Sequence, residues 1–295
     1  MAHKTLPIYN IENFNYLGSE SDFFINILRE QLDNQKSFIE VPHKHDFFTA
    51  LLITKGSGTH TIDFVEYNVK PGHLYMLSPG QLHSFVLSSD TDGYLFFHSR
   101  SFFEIYSPLK KVRDYPFFCS IHNTPLIVLN TESLQRAVES FTKILKEFQN
   151  NYLMKFEKIH VLVEGLYIDL SRLYLPERYL NKQNQNYLTK IRKLEDLIDA
   201  NFKELKSPNE YAKLMFMSEK HLNRICKECL NKTTSDLIMC RIMLEAKRLL
   251  MHSSNSISEI AGQLGYFDKA HFSRLFKKNS GKTPLEFIKF EHSSK

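Results

Sequence analysis

The sequence predicts an α+β protein of two domains, sheet-rich first and all-helical second. Three observations predict it. Short strands punctuated by glycine or proline fill residues 47 to 98, helical periodicity takes over near residue 134, and from Tyr187 onward every segment reads as capped helix with repeating boundaries. A chain of 295 residues is long enough for two cores.

The strands come in order. Phe47 to Thr54 is a continuous apolar run closed by Gly56-Ser57-Gly58, and His60 to Val69 alternates in part. Pro71-Gly72 precedes Leu74 to Leu77, Pro79-Gly80 precedes Ser84 to Leu87, and Asp92-Gly93 precedes Tyr94 to His98. Strands at this spacing predict a sandwich or barrel. Leu134, Val138, Phe141, Leu145 and Phe148 then mark one helix. A second, from about Phe156 to Leu175, carries Ile159, Leu162, Val163, Leu166, Leu170 and Leu173, with Val161, Tyr167 and Ile168 on other faces. Apolar residues on several faces predict burial on more than one side, against a partner subunit or within the chain's own core. Residues Pro176 to Asn186 are polar and read as a linker. The expected domains are therefore 1–180 and 190–295, with 181–189 between them.

From residue 187 onward Lys and Arg outnumber Asp and Glu by 20 to 13, whereas residues 1–186 hold 18 against 20. A basic half beside a near-neutral half predicts that one domain meets a polyanion. No run of eighteen apolar residues suggests a membrane span. Met1 to Lys4 open no secretory signal, and four cysteines do not suggest a disulfide framework, so the expected location is the cytoplasm.

The helical half repeats. Ser207-Pro208-Asn209-Glu210, Ser256-Ile257-Ser258-Glu259 and Thr283-Pro284-Leu285-Glu286 are capping boxes, two of them with proline at the first helical position. An offset of 50 aligns His221 with His271, Leu222 with Phe272, Arg224 with Arg274, Lys227 with Lys277, and Asn231 with Gly281. Ser218 and Asp268 share a register suited to N-caps; Asn231 and Gly281 suit left-handed stops. Each half thus predicts a capped helix, a tight turn and a second capped helix. In the second half, Ile257, Ile260, Ala261 and Leu264 face Phe272, Leu275 and Phe276, leaving Lys269, Ser273, Arg274, Lys277 and Lys278 on the far face. A helix that is apolar on one side and basic on the other suits a DNA major groove. A plain helical bundle with solvated lysines explains neither the repeat nor the spacing.

The run ISEIAGQLGYFDKAHFSRLFKKNSGKTPLEFI, residues 256–288, resembles the AraC/XylS family of bacterial regulators. The matching elements are Ile260-Ala261, Gly265-Tyr266, Asp268, Phe272-Ser273-Arg274, Phe276-Lys277-Lys278, Gly281 and Thr283-Pro284; Arg241, Ala246-Lys247 and Leu249-Leu250 match the family's central helix. The first unit departs from the pattern: Cys226 stands for a phenylalanine, Asn231 for a glycine and Thr234 for a proline, which predicts a less rigid unit. The resemblance implies double-stranded DNA as partner, read in two successive major grooves. By position it implies base readout by Lys220, Asn223 and Arg224 in the first unit and by Lys269, Ser273 and Arg274 in the second. Lys227, Lys277 and Lys278 suit phosphates. Arg224 or Arg274 could instead form a salt bridge inside the domain.

Residues near 38–98 resemble the cupin-like sensory domain common in this family, through His43-Lys44-His45, Gly56-Ser57-Gly58, Pro71-Gly72 and Pro79-Gly80 followed by His83. A metal-binding cupin enzyme would add a glutamate three or four residues after the second histidine. Thr49 and Ala50 stand there, and Asp46 points to the other side of the strand. The preferred expectation is an effector pocket lined by His43, His45 and His83, ahead of a purely structural barrel and of a metal site. No cofactor is expected, and His60, His73 and His98 are placed at surface or edge. Cys226-Lys227-Glu228-Cys229 lies inside a recognition helix and reads as packing rather than as a thiol sensor. The function expected is a non-enzymatic, sequence-specific DNA-binding regulator, a homodimer that responds to a small-molecule effector, with RNA polymerase as a further partner. The alternatives are a cupin metalloenzyme with a helical appendage and a constitutive DNA-binding protein.

Overall fold

The computed structural model describes residues 7–14, 22–33, 41–118, 124–175 and 182–293. The chain divides into two compact units, Leu6–Arg178 and Tyr179–Lys295. Each is taken by itself.

The first unit carries β1 (Ile8–Tyr9), β2 (Phe23–Ile27), β3 (Lys44–His45), β4 (Phe48–Lys55), β5 (Gly58–Ile62), β6 (Val65–Val69), β7 (His73–Leu77), β8 (His83–Leu87), β9 (Asp92–His98) and β10 (Leu126–Val128). Its named helices are α1 (Arg100–Tyr106), α2 (Thr131–Gln149) and α3 (Lys155–Tyr174). Strands pair in the order β10-β7-β4-β9-β2 in a five-stranded sheet and β6-β5-β8 in a three-stranded one, all antiparallel. The larger sheet is buried on both faces. Phe48, Ala50, Leu52, Leu74 and Phe96 pack against α2 and α3, while Leu51, Ile53, Leu77 and Phe97 share a second core with Ile62, Val69 and Phe85 of the smaller sheet. That double burial is why β4 reads as an unbroken apolar run rather than an alternating one. Each buried Phe or Leu in these layers contributes about 1.5–3 kcal/mol.

The segment His60 to Val69, expected as one strand, is a hairpin. Asp63 (φ 46°) and Phe64 (φ 69°) form its two-residue turn, both left-handed. Asp-Phe is not the usual Asn-Gly signature of such a turn. Long-range bonds fix it: Asp63 N–H donates to the Leu82 carbonyl (2.8 Å), and the Asp63 carboxylate accepts from Leu82 N–H (3.1 Å).

α2 begins at Asn130, whose side chain accepts from Ser133 N–H (2.8 Å), and buries Ala137, Phe141, Ile144 and Leu145. α3 buries Ile159, Val163, Leu166, Tyr167 and Leu170, while Val161, Gly165 and Ile168 stay exposed on another side.

The second unit is helical: α4 (Lys182–Asn201), α5 (Pro208–Leu214), α6 (Glu219–Leu230), α7 (Thr234–His252), α8 (Ile257–Gln263), α9 (Lys269–Ser280) and α10 (Pro284–Ser293). The linker expected at 181–189 is corrected here. Helix runs from Lys182, and Tyr187, Leu188 and Ile191 are buried. Residues 176–181 of the expected linker lie outside the described residues. No glycine or proline interrupts 182–189, and burial of its apolar residues overrides the polar composition. α7 packs against both helical pairs, α5/α6 and α8/α9. Arg241 fastens α7 to α4: its Nε donates to Asp199 (2.7 Å), and its guanidinium lies 4.1 Å from the Phe202 ring centroid.

Candidate nucleic-acid interface and histidine pocket

Local hydrogen bonds set the ends of both recognition helices. Ser218 accepts from His221 N–H (3.2 Å) at the start of α6, and Asp268 from Ala270 N–H (2.8 Å) at the start of α9. Asn231 (φ 53°) and Gly281 (φ 76°) end them in the left-handed conformation. α6 and α9 are each 12 residues long and begin 50 residues apart. α6 buries Leu222, Ile225 and Cys226; α9 buries Phe272 and Phe276. Lys220, Arg224, Lys227, Lys269, Arg274, Lys277 and Lys278 are exposed, while Asn223 and Ser273 are half-buried.

The two arginines differ. Arg224 Nη2 donates to the Tyr187 hydroxyl (3.2 Å), lies 3.1 Å from His221 Nδ1, and stands 4.0 Å from Glu228. Among the described residues Arg274 has no hydrogen-bond or ion-pair partner. Asn223, expected to face bases, uses its Oδ1 to accept from Thr234 N–H (3.1 Å), which leaves only its NH₂ for a base.

That bond explains the departures of the first unit. In the second, the residue opposite Thr234 is Pro284, which has no N–H, and the residue opposite Cys226 is Phe276. In the first, Thr234 brings an N–H and a hydroxyl into a site with no exposure to solvent. Asn223 satisfies the N–H, and the smaller Cys226 leaves room for the hydroxyl, 3.4 Å from its sulfur. A buried unpaired donor costs about 1–3 kcal/mol, so the substitutions form a compensated set. The departures that predicted a looser first unit are thus matched by local bonds at Thr234. Burial raises the Cys226 thiol to about 11, which leaves it unreactive, as a packing residue should be.

The second site is a pocket in the first unit. It spans about 470 Å³, counting space open at its mouth, and Phe14, Leu32, Leu51, Phe85, Leu95 and Phe97 supply most of its apolar wall. His43, His45, His83, Thr49 and Gln31 are its polar lining. His43 and His45 are buried on one side of β3, with Asp46 exposed between them and Phe47. Paired backbone bonds between His43 and His83 (3.0 and 2.9 Å) bring β8 alongside. The three imidazoles present ring nitrogens that all lie within 4.8 Å of one another.

His60, expected at the surface, is fully buried, and the expectation is corrected. Its Nε2 lies 3.1 Å from His83 Nδ1, and its ring stacks on Phe85 at 3.8 Å. The signal was parity: His60 and Ile62 share the inward face of β5. His98 is also buried, on the helix-covered face, with Nε2 2.7 Å from the Tyr167 hydroxyl. His73 is half-buried at the start of β7, a strand flanked by β10 and β4, so its expected edge position is corrected too. Burial pushes His45, His60 and His83 well below the usual imidazole range, and repulsion among the histidines adds to it; burial lowers His43 too, opposed by its bond to the Val41 carbonyl. The cluster is therefore neutral near pH 7, with lone pairs available.

A sheet-rich unit with a pocket, joined to two capped helix-turn-helix units with basic outer faces, defines a DNA-binding transcription regulator with a ligand-binding domain. Family models agree: an AraC-like ligand binding domain matches residues 25–151, and a helix-turn-helix domain matches 211–289. The chain belongs to the AraC family of transcription regulators. It is 23% identical over 270 residues to the HTH-type transcriptional activator RhaS of Escherichia fergusonii, covering 90% of this chain and 94% of the relative. It is 21% identical to the lactose operon transcription activator of Staphylococcus xylosus, covering 77% and 78%. Among solved structures, ToxT from Vibrio cholerae aligns over 91% of this chain and 98% of its own, with 15% identity and a TM-score of 0.44. Among the described residues, no helix is long and apolar enough to cross a membrane.

Proposed function

We propose that this regulator reads an operator through two unequal recognition helices and answers to a small molecule held in the histidine-lined pocket. The observation that carries the reading is the repeat of α6 and α9 at an offset of 50 with matched caps and basic outer faces. Arg274, Lys269 and Ser273 are the principal base contacts, because Arg274 is exposed and unengaged. Lys220 and Arg224 add to them, with Arg224 first giving up its internal bonds, and Asn223 contributes through its amide NH₂ only. Lys227, Lys277 and Lys278 hold phosphates.

The effector is an apolar molecule with one polar end, matched to an aliphatic and aromatic wall closed by His43, His45 and His83. The protein acts as a cytoplasmic homodimer and is not an enzyme. Val161, Gly165 and Ile168, exposed at spacings of four and three on α3, suit a helix seam between copies. RhaS and the staphylococcal relative are named as activators, which supports contact with RNA polymerase.

The test is binding-site selection from random DNA followed by footprinting. Two protected half-sites about one helical turn apart are expected. A single protected half-site would exclude readout by both helices. Small-molecule screening by thermal shift tests the pocket: a ligand at about 100-fold its Kd adds about 2.7 kcal/mol.

A further inference from the structure

The histidine cluster is built more elaborately than the polar end of a pocket requires. His43 Nδ1 lies 2.8 Å from the Val41 carbonyl, which accepts only, so His43 carries its proton there and leaves Nε2 bare. His45 Nδ1 lies 3.5 Å from the Thr49 hydroxyl, and His83 Nδ1 lies 3.1 Å from His60 Nε2. Each of the three imidazoles thus turns Nδ1 to an outer partner. His45 Nε2 and His83 Nε2 face each other at 3.4 Å. Two nitrogens bound tetrahedrally to one ion at about 2.0–2.1 Å stand about 3.3–3.4 Å apart. The backbone pairing of His43 with His83 holds two of the three side chains in register before any ligand arrives.

We propose that His43, His45 and His83 form a tri-histidine site for a divalent transition-metal ion, zinc or a borderline ion of similar preference. Neutral imidazoles suit such ions better than calcium or magnesium, which take oxygen ligands. The fourth coordination position opens on the apolar pocket. His60 acts as the outer partner of His83, and Thr49, standing where a carboxylate would complete a four-residue set, is the outer partner of His45. The site stands on the three imidazoles and does not depend on whether the pocket also holds an effector.

The test uses the full-length chain, purified without metal-affinity resin or chelator and then stripped of metal. Cobalt(II) is titrated in and followed by visible absorption, and zinc(II) is then added in competition. One equivalent of cobalt, an intense band of four-coordinate type, and displacement by zinc are expected. His45→Ala and His83→Ala should each lose the band and bind zinc at least 100-fold more weakly. His43→Gln, which keeps volume and polarity, should do the same if either alanine variant unfolds. His60→Gln should weaken binding by about 10–100-fold, the range for outer partners. His73→Ala, off the site, should bind as the parent does. Circular dichroism and DNA binding check that each variant is folded. Failure of folded parent protein to bind one equivalent of cobalt or zinc would overturn the proposal, as would unchanged binding by the folded histidine variants.

Discussion

The two helix-turn-helix units share a plan and solve it with different chemistry. In the second, backbone restriction does the work: Gly265 makes the turn, Pro284 starts the third helix without an N–H to satisfy, and Phe276 fills the core. In the first, hydrogen bonds replace these devices. Phe216 takes the left-handed turn (φ 54°) with its ring in solvent, and Asn223 and Cys226 accommodate Thr234. The consequence reaches the outer faces. Among the described residues Arg274 of the second unit has no hydrogen-bond or ion-pair partner, while the first unit engages Asn223 and Arg224 inside the domain. Under the proposed readout, structure and base contact compete for side chains in the first unit.

The sharpest way to break this comparison is Gly265→Ala. Gly265 has φ +78°, and a Cβ there would overlap the Lys203 carbonyl oxygen. A loss of about 3 kcal/mol is expected, measured by urea denaturation, whereas Phe216→Gly at the corresponding turn should stabilise by up to about 1 kcal/mol. Comparable destabilisation by both would show that the turns are under the same constraint.

Arg274→Ala should weaken specific DNA binding by about 1–3 kcal/mol and relax preference at one base position. Arg224→Ala should cost less, about 1 kcal/mol or under, because removing its internal bonds offsets part of the lost contact. Binding-site selection with each variant checks the order; an unchanged preference for Arg274→Ala would remove that residue from the readout set.

Asn223→Ala should destabilise the domain by about 1 kcal/mol by leaving Thr234 N–H unpaired. Thr234→Pro removes that donor, so the double variant should recover most of the loss. Additive effects in a double-mutant cycle would show that the Asn223–Thr234 bond is not the reason for the pairing. Lys277→Ala should weaken binding evenly across sequences and lower the salt slope by about one unit, read from titrations at several salt concentrations. Last, Asn231→Gly should raise stability by only about 0.5 kcal/mol, since asparagine already tolerates the left-handed cap.

What was legible in the sequence follows from the range of the interactions involved. Ser207 with Glu210 and Ser256 with Glu259 bond across three residues, so the helix starts were readable as short motifs. The 50-residue repeat, the basic outer faces and the doubly buried β4 were equally written in local pattern. The linker was misplaced because composition alone cannot tell a solvated polar segment from the first turns of a helix whose later residues are buried.

The sequence by itself determined the two-unit α+β plan, the capped starts of the helix-turn-helix units, and the identity of His43, His45 and His83 as members of a set. The tertiary structure alone decided what those residues face. His60 joins His83 across 23 residues through the pairing of β5 with β8, and His45 meets His83 across 38 beside the isolated bridge between His43 and His83. Asn223 turns toward Thr234 across 11 residues because α7 starts beside α6 and brings an N–H that must be satisfied. Capping needs only a chain's near neighbours, and burial pattern only their period. A buried polar partner comes from wherever the fold places one, and that cannot be read along the chain.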